Sequence, residues 1–393
     1  MKGLLSICGA LAAGEYLASF GPHFAETWPF VAGLLAFVLL FGYGLKMRGW
    51  PLVFFFLLGV GLFLHASTDE IRLYREQPWM RAWRGGTRPP ATPVPSALRA
   101  ARADFSRRMS VGLSGGRAEA DLGRAILLGE RRRLSPEMKE TFVASGALHV
   151  FAISGLHVMA IADLIAYLLA LLFVPRRLAG LVSVPILWCY VLLVGWSPSA
   201  VRAAAMATVQ LLAPVFWRRP NGLRAWALAF LVIHLLSPRM IVNVGNVLSF
   251  AVMLAIVLVG DAVRDWPKAR QTLAVTVAAW AVGVPISAHV FGRVTPGGML
   301  ANLVLILTAR LTVVTGALGV LASYISSTLA AHVNNLAALL VRSMTGVAEL
   351  VARLPGSNLE VPRWTVLECA AWYALAVLAA VLVRRIRARR LFG

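Results

Sequence analysis

The sequence predicts an all-α polytopic membrane protein with about 11 to 12 membrane-spanning helices, some of them broken or re-entrant. The 393 residues are 59% hydrophobic and only 14% charged, and the mean hydropathy is +0.75. Apolar runs of about 17 to 25 residues, long enough to cross ~30 Å of hydrocarbon, alternate with short loops rich in arginine. Soluble domains rarely have such a composition.

The apolar runs form two series, separated by the most polar part of the chain at residues 67–139. Before it we predict spans near residues 3–19, 28–45 and 50–66. Glu15 and the lack of a small-residue cleavage site favour a retained first span over a signal peptide. After it, the predicted spans lie near residues 147–173, 178–195, 200–217, 223–236, 245–260, 271–290, 298–318 and 364–383.

Basic residues predict which side of the membrane the loops face, because cytoplasmic loops carry the excess of lysine and arginine. Here they fall on alternate loops, and the basic C-terminal stretch joins that side if residues 319–354 cross the membrane once. The alternative to a crossing at residues 319–354 is an amphipathic helix that lies on the membrane surface. We expect both termini in the cytoplasm and residues 67–139 outside.

The formal net charge of +21 has two sources. Cytoplasmic loops supply part of it, and the rest lies in the external segment 67–120, where arginines alternate with Trp79, Trp83 and Phe105. Such a segment suits single-stranded nucleic acid, through phosphate attraction and base stacking. It also suits a basic linker against anionic lipid headgroups, and the segment taken alone favours this second interpretation. Four prolines between residues 89 and 95 predict a loop or linker in its middle.

Two short helices are predicted between this segment and the next span, at residues 120–130 and 136–145. The run Arg131-Arg132-Arg133 separates them. Ser135 is the expected N-cap of the second helix, with Pro136 at its first position. We expect both helices to lie at the membrane interface.

The stretch from His149 to His157, His-Val-Phe-Ala-Ile-Ser-Gly-Leu-His, places polar groups inside an apolar run. Lipid offers them no hydrogen-bond partners, so they are tolerated only where they face protein or a wet cavity. Ser154 and Gly155 lower helix stability between the histidines and favour an open backbone that lines a cavity. Hydrogen bonds between closely crossing helices are an equally good interpretation.

Metal and disulfide chemistry have little support in the sequence. The two histidines are two helical turns apart on different faces, and no third ligand lies near them. Cys8, Cys189 and Cys369 lie in apolar runs without the spacing of a metal site, and we expect all three to be buried. We therefore predict no metal and no cofactor.

Further polar side chains interrupt the later apolar runs. Ser199 and Arg202 follow Pro198 at a predicted helix start, where Arg202 either snorkels to the interface or faces a pore mouth. Arg310 lies deepest and costs about 2.5 to 3.5 kcal/mol unless it is paired or faces water. The other candidates are Asn243, Ser249 and Asn302.

Residues from about Leu122 to Gly356 resemble the membrane core of the ComEC family, the competence proteins that pass transforming DNA across the bacterial inner membrane. The resemblance covers more than half of the chain and includes the Ile-Ser-Gly segment between the two histidines. The stretches that carry it, in the family's order, are Ile126–Glu130, Leu134–Glu137, Gly146–Val158, Pro198–Ala203, Gly245 with Leu248–Phe250, Phe291–Gly292 and Ala301–Leu303.

The resemblance implies a channel core that passes single-stranded DNA across the inner membrane, without a catalytic function of its own. It implies DNA-capture and strand-motor proteins as partners, and it allows a separate nuclease and a homo-oligomer. The pathway residues that it implies are His149, Ser154, Gly155, His157, Ser199, Arg202, Asn243, Ser249, Asn302 and Arg310.

Some features depart from the family's pattern. The interval 67–120 is short and proline-broken, so we expect the family's folded external domain to be missing or reduced. No His-x-His-x-Asp-His cluster occurs, so we expect the family's C-terminal metallo-β-lactamase-like domain to be lacking. Asn243, Val247 and Leu307 stand where the family usually has acidic, glutamine and proline residues.

The expected organisation has four parts: an N-terminal membrane region of three spans at 1–66, the external segment at 67–120, a competence membrane domain at 121–360, and a last span with a basic tail at 361–393. Two other functions stay open. A transporter or channel for a small anion would use the same basic and broken-helix features. An intramembrane enzyme using a histidine with Ser154 is less favoured, because no nucleophile elbow is present.

Overall fold

The computed structural model describes residues 96–113, 117–151, 153–236 and 243–376. The predicted spans before residue 67 lie outside these ranges. So do the beginning of the external segment and the end of the last predicted span.

The described part of the chain is mostly helical, which confirms the predicted fold class. The helices are α1 Ser96–Arg108, α2 Arg117–Leu128, α3 Pro136–Ala144, α4 Gly155–Leu171, α5 Arg176–Leu193, α6 Pro198–Leu212, α7 Gly222–Leu236, α8 Val244–Ala262, α9 Lys268–Phe291, α10 Pro296–Ala322, α11 Ser327–Ala352 and α12 Val366–Ala376. Arg131–Arg133 and Leu148–Phe151 are short 3₁₀ helices, and the strands β1 Arg293–Val294 and β2 Leu359–Glu360 have two residues each.

Within the described ranges, five helices are long and apolar enough to cross a membrane, namely α5, α8, α9, α10 and α11. Most of the interval 319–354 forms helix α11, whose 26 residues have the length and composition of a membrane crossing. Helices α4, α7 and α12 are shorter and also apolar. Predicted helix starts at Pro136 and Pro198 are confirmed, with Ser135 and Ser197 as their N-caps.

The chain divides into two compact units, of which the core unit comprises residues 91–230 and 295–359. One continuous apolar cluster fills it, including the fully buried Leu127, Phe142 and Leu305. Helices α10 and α11 pack along each other, while α4 contacts α5, α6 and α10. Helix α4 thus lies among three neighbours, and His157 and Val158 near its N-terminus are buried.

Helix α1, at the end of the predicted external segment, packs into the core unit. Arg102 donates to the Leu128 carbonyl at 2.7 Å and pairs with Glu130 at 3.2 Å. Asn334 of α11 donates to the carbonyls of Arg108 and Val111 at 3.0 and 2.9 Å. The hydrogen bond from Arg108 holds the pKa of Asp104 below its usual value. Several arginines of α1 therefore make contacts inside the protein.

The second unit contains residues 231–294 and 360–393, described at 231–236, 243–294 and 360–376. Pro285 lies inside α9 and cannot donate to the carbonyl of Ala281, four residues earlier. The indole of Trp372 in α12 donates to that carbonyl at 2.9 Å, and Tyr373 donates to the next carbonyl. Beyond α9, the N–H of Val361 donates to the carbonyl of Gly292, beside β1 and β2.

The expected burial of the cysteines holds for Cys369 and is wrong for Cys189; Cys8 lies outside the described residues. Cys189 shares an exposed face of α5 with Val182 and Ile186, three and four residues apart along the helix. A single span has one face toward lipid, so an apolar run does not imply burial at every position.

The crossing of α5 and α6 is closed tightly by Gly180. A Cβ atom at this position would lie 2.2 Å from the carbonyl oxygen of Leu211, which is backbone and cannot swing away. We expect Gly180→Ala to force the helices apart and to destabilise the protein by about 1 to 3 kcal/mol. Thermal unfolding in detergent, followed by tryptophan fluorescence, measures this loss.

Gly346 in α11 is the matched control, because in the described part of the chain no atom beyond its sequence neighbours and the adjacent helix backbone lies within 4 Å of a Cβ built there. Gly346→Ala should leave the unfolding temperature unchanged or raise it slightly, since alanine favours helix by up to about 1 kcal/mol. Equal effects of the two substitutions would contradict the close crossing.

Candidate functional site

The helical chain is interrupted between His149 and His157. The 3₁₀ turn Leu148–Phe151 ends there, and α4 begins at Gly155 after Ser154 in an extended N-cap conformation. Upstream, Gly146 adopts a φ of +71°, and its backbone lies against Gly298 near the start of α10. The predicted opening of the backbone at Ser154 and Gly155 is therefore present in the structure.

His157 caps the new helix with its side chain. The backbone N–H of Ser154 donates to Nδ1 of His157 at 3.2 Å, and the Ser154 hydroxyl lies 3.0 Å from the same atom. Since a backbone N–H can only donate, Nδ1 is an acceptor, and the neutral ring carries its proton on Nε2. The ring is 1% exposed, and Nε2 has no hydrogen-bond partner among the described residues.

Two side chains from other elements bind the carbonyls on either side of residue 152. Arg131 donates from Nε to the Phe151 carbonyl at 2.7 Å, and Ser199 donates to the Ile153 carbonyl at 2.5 Å. Burial lowers the pKa of Arg131, but a guanidinium stays charged near neutral pH. The interrupted backbone is thus held by the partly buried Arg131 cation and by the first turn of α6.

His149 and Asn302 complete the surroundings. His149 lies next to the Gly146 backbone and the Asn302 side chain. Oδ1 of Asn302 is buried and has no hydrogen-bond partner in the described ranges. Two basic side chains, His149 and Arg131, act electrostatically on His157. All of these residues belong to the core unit.

The arginines predicted for the pathway differ in their surroundings. Arg202 is 6% exposed and lies three residues after Ser199 in α6, on the same face of the helix. Arg310 of α10 forms an ion pair with Asp163 of α4, and both side chains are half exposed. The ion pair with Asp163 therefore offsets the free-energy cost expected for Arg310 inside the membrane.

Asn243 and Ser249 lie in the second unit, whereas the other eight candidates belong to the core unit. Asn243 is the N-cap of α8, where its side chain accepts from the N–H of Asn246 at 3.0 Å. Ser249, three residues after Asn246, is partly buried. Inside this unit, the Asn246 amide lies 3.0 Å from Nε2 of the buried His234, a pair that the sequence did not single out.

Arg131 is the main residue that sequence reasoning missed. In the sequence, Arg131 belongs to a run of three arginines that separates two short helices. In the structure, Arg132 and Arg133 are exposed, while Arg131 reaches the Phe151 carbonyl. The signal for it was its place just before the polar stretch, between two helices that pack on the core. Which of three consecutive arginines turns inward depends on the 3₁₀ turn.

The contact between Ser154 and His157 is a helix cap and lacks the third group of a hydrolase triad. In such a triad the second ring nitrogen donates to a carboxylate, whereas no described side chain accepts from Nε2. No group of three His, Cys, Asp or Glu side chains among the described residues could hold a metal ion. The arrangement offers donors and positive charge.

Comparison with known proteins gives one family. The family model "Competence protein" matches residues 126–386, a range that includes Arg131 and all ten predicted site residues. A relative from Bacillus subtilis (strain 168), ComE operon protein 3, is 32% identical over 134 residues, which are 34% of this chain and 17% of the relative. Competence protein ComA of Neisseria gonorrhoeae is 30% identical over 245 residues, 58% of this chain and 31% of the relative.

A further relative, an uncharacterized protein of Aquifex aeolicus (strain VF5), is 30% identical over 190 residues, 47% of this chain and 43% of the relative. The chain thus spans less than half of the length of each of these three relatives. No solved structure matches the chain.

The Asp163–Arg310 pair joins α4 to α10 and gives a test of its role. We expect Arg310→Met to lower the unfolding temperature in detergent, because it leaves the Asp163 carboxylate without its cation. The double variant Asp163→Leu, Arg310→Met should restore the temperature, since both charges are removed together. A double variant as unstable as the single one would show that the two side chains do not act as a pair.

Proposed function

This chain belongs to the competence protein family, and from that premise we propose that it forms the membrane-embedded core of a channel that passes single-stranded DNA during DNA uptake. The observation that carries this proposal is the interrupted backbone between His149 and His157. It places hydrogen-bond donors and basic side chains next to the apolar cluster of the core unit. Such an interruption is favourable in a membrane only where it is buried in protein or lines a wet path.

The chemistry of this interruption suits a polyanion. A strand with one negative charge per nucleotide crosses a low-dielectric region only where cations and N–H or O–H donors replace its hydration. Arg131, His149 and His157 lie together there, and Ser199 and Arg202 occupy one face of the adjoining α6. Several weak contacts favour movement more than one tight site does.

The family match supports DNA uptake over a carrier for a small anion, because it names competence proteins. We further propose the bacterial inner membrane as the location, with both termini in the cytoplasm, and a transport role without catalysis. DNA-capture and strand-motor proteins would act with the channel, and a separate nuclease and a second copy of this chain are further candidate partners. We retain residues 121–360 as the proposed competence membrane domain.

Entry of fluorescently labelled DNA into the cytoplasm tests the proposal. In cells that lack the gene, DNA should accumulate outside, and the wild-type gene should restore entry. We expect Arg202→Glu to reduce restored entry by about tenfold or more, since a buried cation on the proposed path becomes an anion; tenfold corresponds to about 1.4 kcal/mol.

Arg264→Glu is the matched charge reversal, because Arg264 is three-quarters exposed after α8 and its ion-pair partner is the adjacent Asp265. It should restore entry as the wild type does. The amount of each variant in the membrane, measured by immunoblot, excludes loss of the protein, and Arg202→Lys should retain part of the activity. Normal DNA entry in cells without the gene would refute the proposed function.

A further inference from the structure

We infer that Arg131 and His157, with His149 beside them, form a binding site for one phosphodiester group, which recognises the sugar-phosphate backbone of a strand and not its bases. The inference rests on the proposed function and gives it a specific contact. The site lies at the N-terminus of α4, within the core unit.

The first argument is the buried donor on His157. Its Nδ1 atom is occupied by Ser154, which places the ring proton on Nε2. The ring is 1% exposed, and Nε2 has no partner in the part of the chain that the structure describes. Buried donors without partners are rare in folded proteins and mark a site whose acceptor comes from elsewhere.

The second argument is the sign of the charges around that donor. Among the described residues, Arg131 and His149 act electrostatically on His157, and both are basic. The N-terminus of α4 adds the positive end of a 17-residue helix. An anionic acceptor is therefore favoured over a neutral one.

The third argument is that two carbonyls of the interruption, those of Phe151 and Ile153, already have donors. Their lone pairs would repel an anion if they pointed freely into the site. Arg131 binds the Phe151 carbonyl and Ser199 binds the Ile153 carbonyl. Arg131 uses Nε for this contact, so its two terminal nitrogens still carry four N–H groups for phosphate oxygens.

The fourth argument separates backbone from base recognition. Single-stranded bases are bound by stacking on accessible aromatic rings. The aromatic ring within this segment, Phe151, is 1% exposed and packs against Phe142 with ring centroids 4.6 Å apart. It is committed to the core and is unavailable to a base. The site thus offers donors for oxygen and no stacking surface from this residue.

Binding of a single-stranded oligonucleotide to the full chain in lipid nanodiscs tests the site. The probe is a fluorescent thymidine oligonucleotide of about 12 nucleotides, followed by anisotropy. An abasic phosphodiester strand of equal length should compete as well as unlabelled thymidine strand. A strand with an uncharged methylphosphonate backbone should not compete.

Two substitutions at position 157 separate the donor from the helix cap. His157→Asn keeps an acceptor near the position of Nδ1 for the Ser154 N–H but removes the distal donor, and we expect Kd to rise about tenfold. His157→Gln keeps an amide N–H near the position of Nε2, and its Kd should stay within about twofold of wild type.

The arginine run provides a second matched pair. Arg131→Gln should also raise Kd about tenfold, whereas Arg132→Gln should leave it unchanged, because Arg132 is exposed and adjacent. Equal effects of the two changes would indicate a general charge effect and overturn the site. Unfolding temperatures identify any variant that fails to fold. If one pair of variants contains such a variant, the other pair tests the binding site.

The outcomes distinguish the site from the proposed function. If oligonucleotides bind but the methylphosphonate strand competes equally, or if His157→Asn binds like wild type, the phosphodiester site is wrong while the channel stands. If phosphorus NMR shows that inorganic phosphate binds wild type and not His157→Asn, yet no oligonucleotide binds, the anion site stands and the DNA channel fails.

Discussion

The backbone interruption before α4 is the constraint on which the polar interior of the core unit depends. Inside a membrane, each carbonyl and N–H that leaves a helix needs another partner, because lipid supplies none. Arg131, Ser199 and His157 provide these partners from three different elements. The interruption therefore fixes the 3₁₀ arginine turn, the start of α6 and the start of α4 relative to one another.

The second unit also contains a carbonyl that has lost its helical hydrogen bond, and a different type of side chain binds it. Pro285 releases the Ala281 carbonyl of α9, and Trp372 of α12 binds it through the indole N–H. That repair is neutral, and its surroundings are apolar, with Cys369 buried beside Pro285. The repair in the core unit uses the Arg131 guanidinium and the Ser199 hydroxyl for two carbonyls, and the His157 imidazole for an N–H. The guanidinium is informative, because a neutral donor would satisfy a carbonyl at a lower desolvation cost than a partly buried cation.

The sequence alone predicted the helix starts that are determined by residues adjacent in the chain. Ser135 and Ser197 precede prolines that can only begin a helix, and Gly155 after Ser154 marks a weak point that the structure opens. What it could not predict depends on partners far along the chain. The inward turn of Arg131 needs the Phe151 carbonyl, and the packing of α1 needs Asn334, more than two hundred residues away.

Three acidic residues of the core unit pair with arginines other than Arg131. Glu119 pairs with Arg342, Asp163 with Arg310, and Glu130 with Arg102, each at a contact between helices or their ends. These carboxylates join elements of the unit, while Arg131 binds the Phe151 carbonyl. Since a carbonyl satisfies a hydrogen bond without cancelling a full charge, Arg131 keeps its positive charge at the interruption. With these three acids paired elsewhere, the interruption favours an anion that comes from outside the chain.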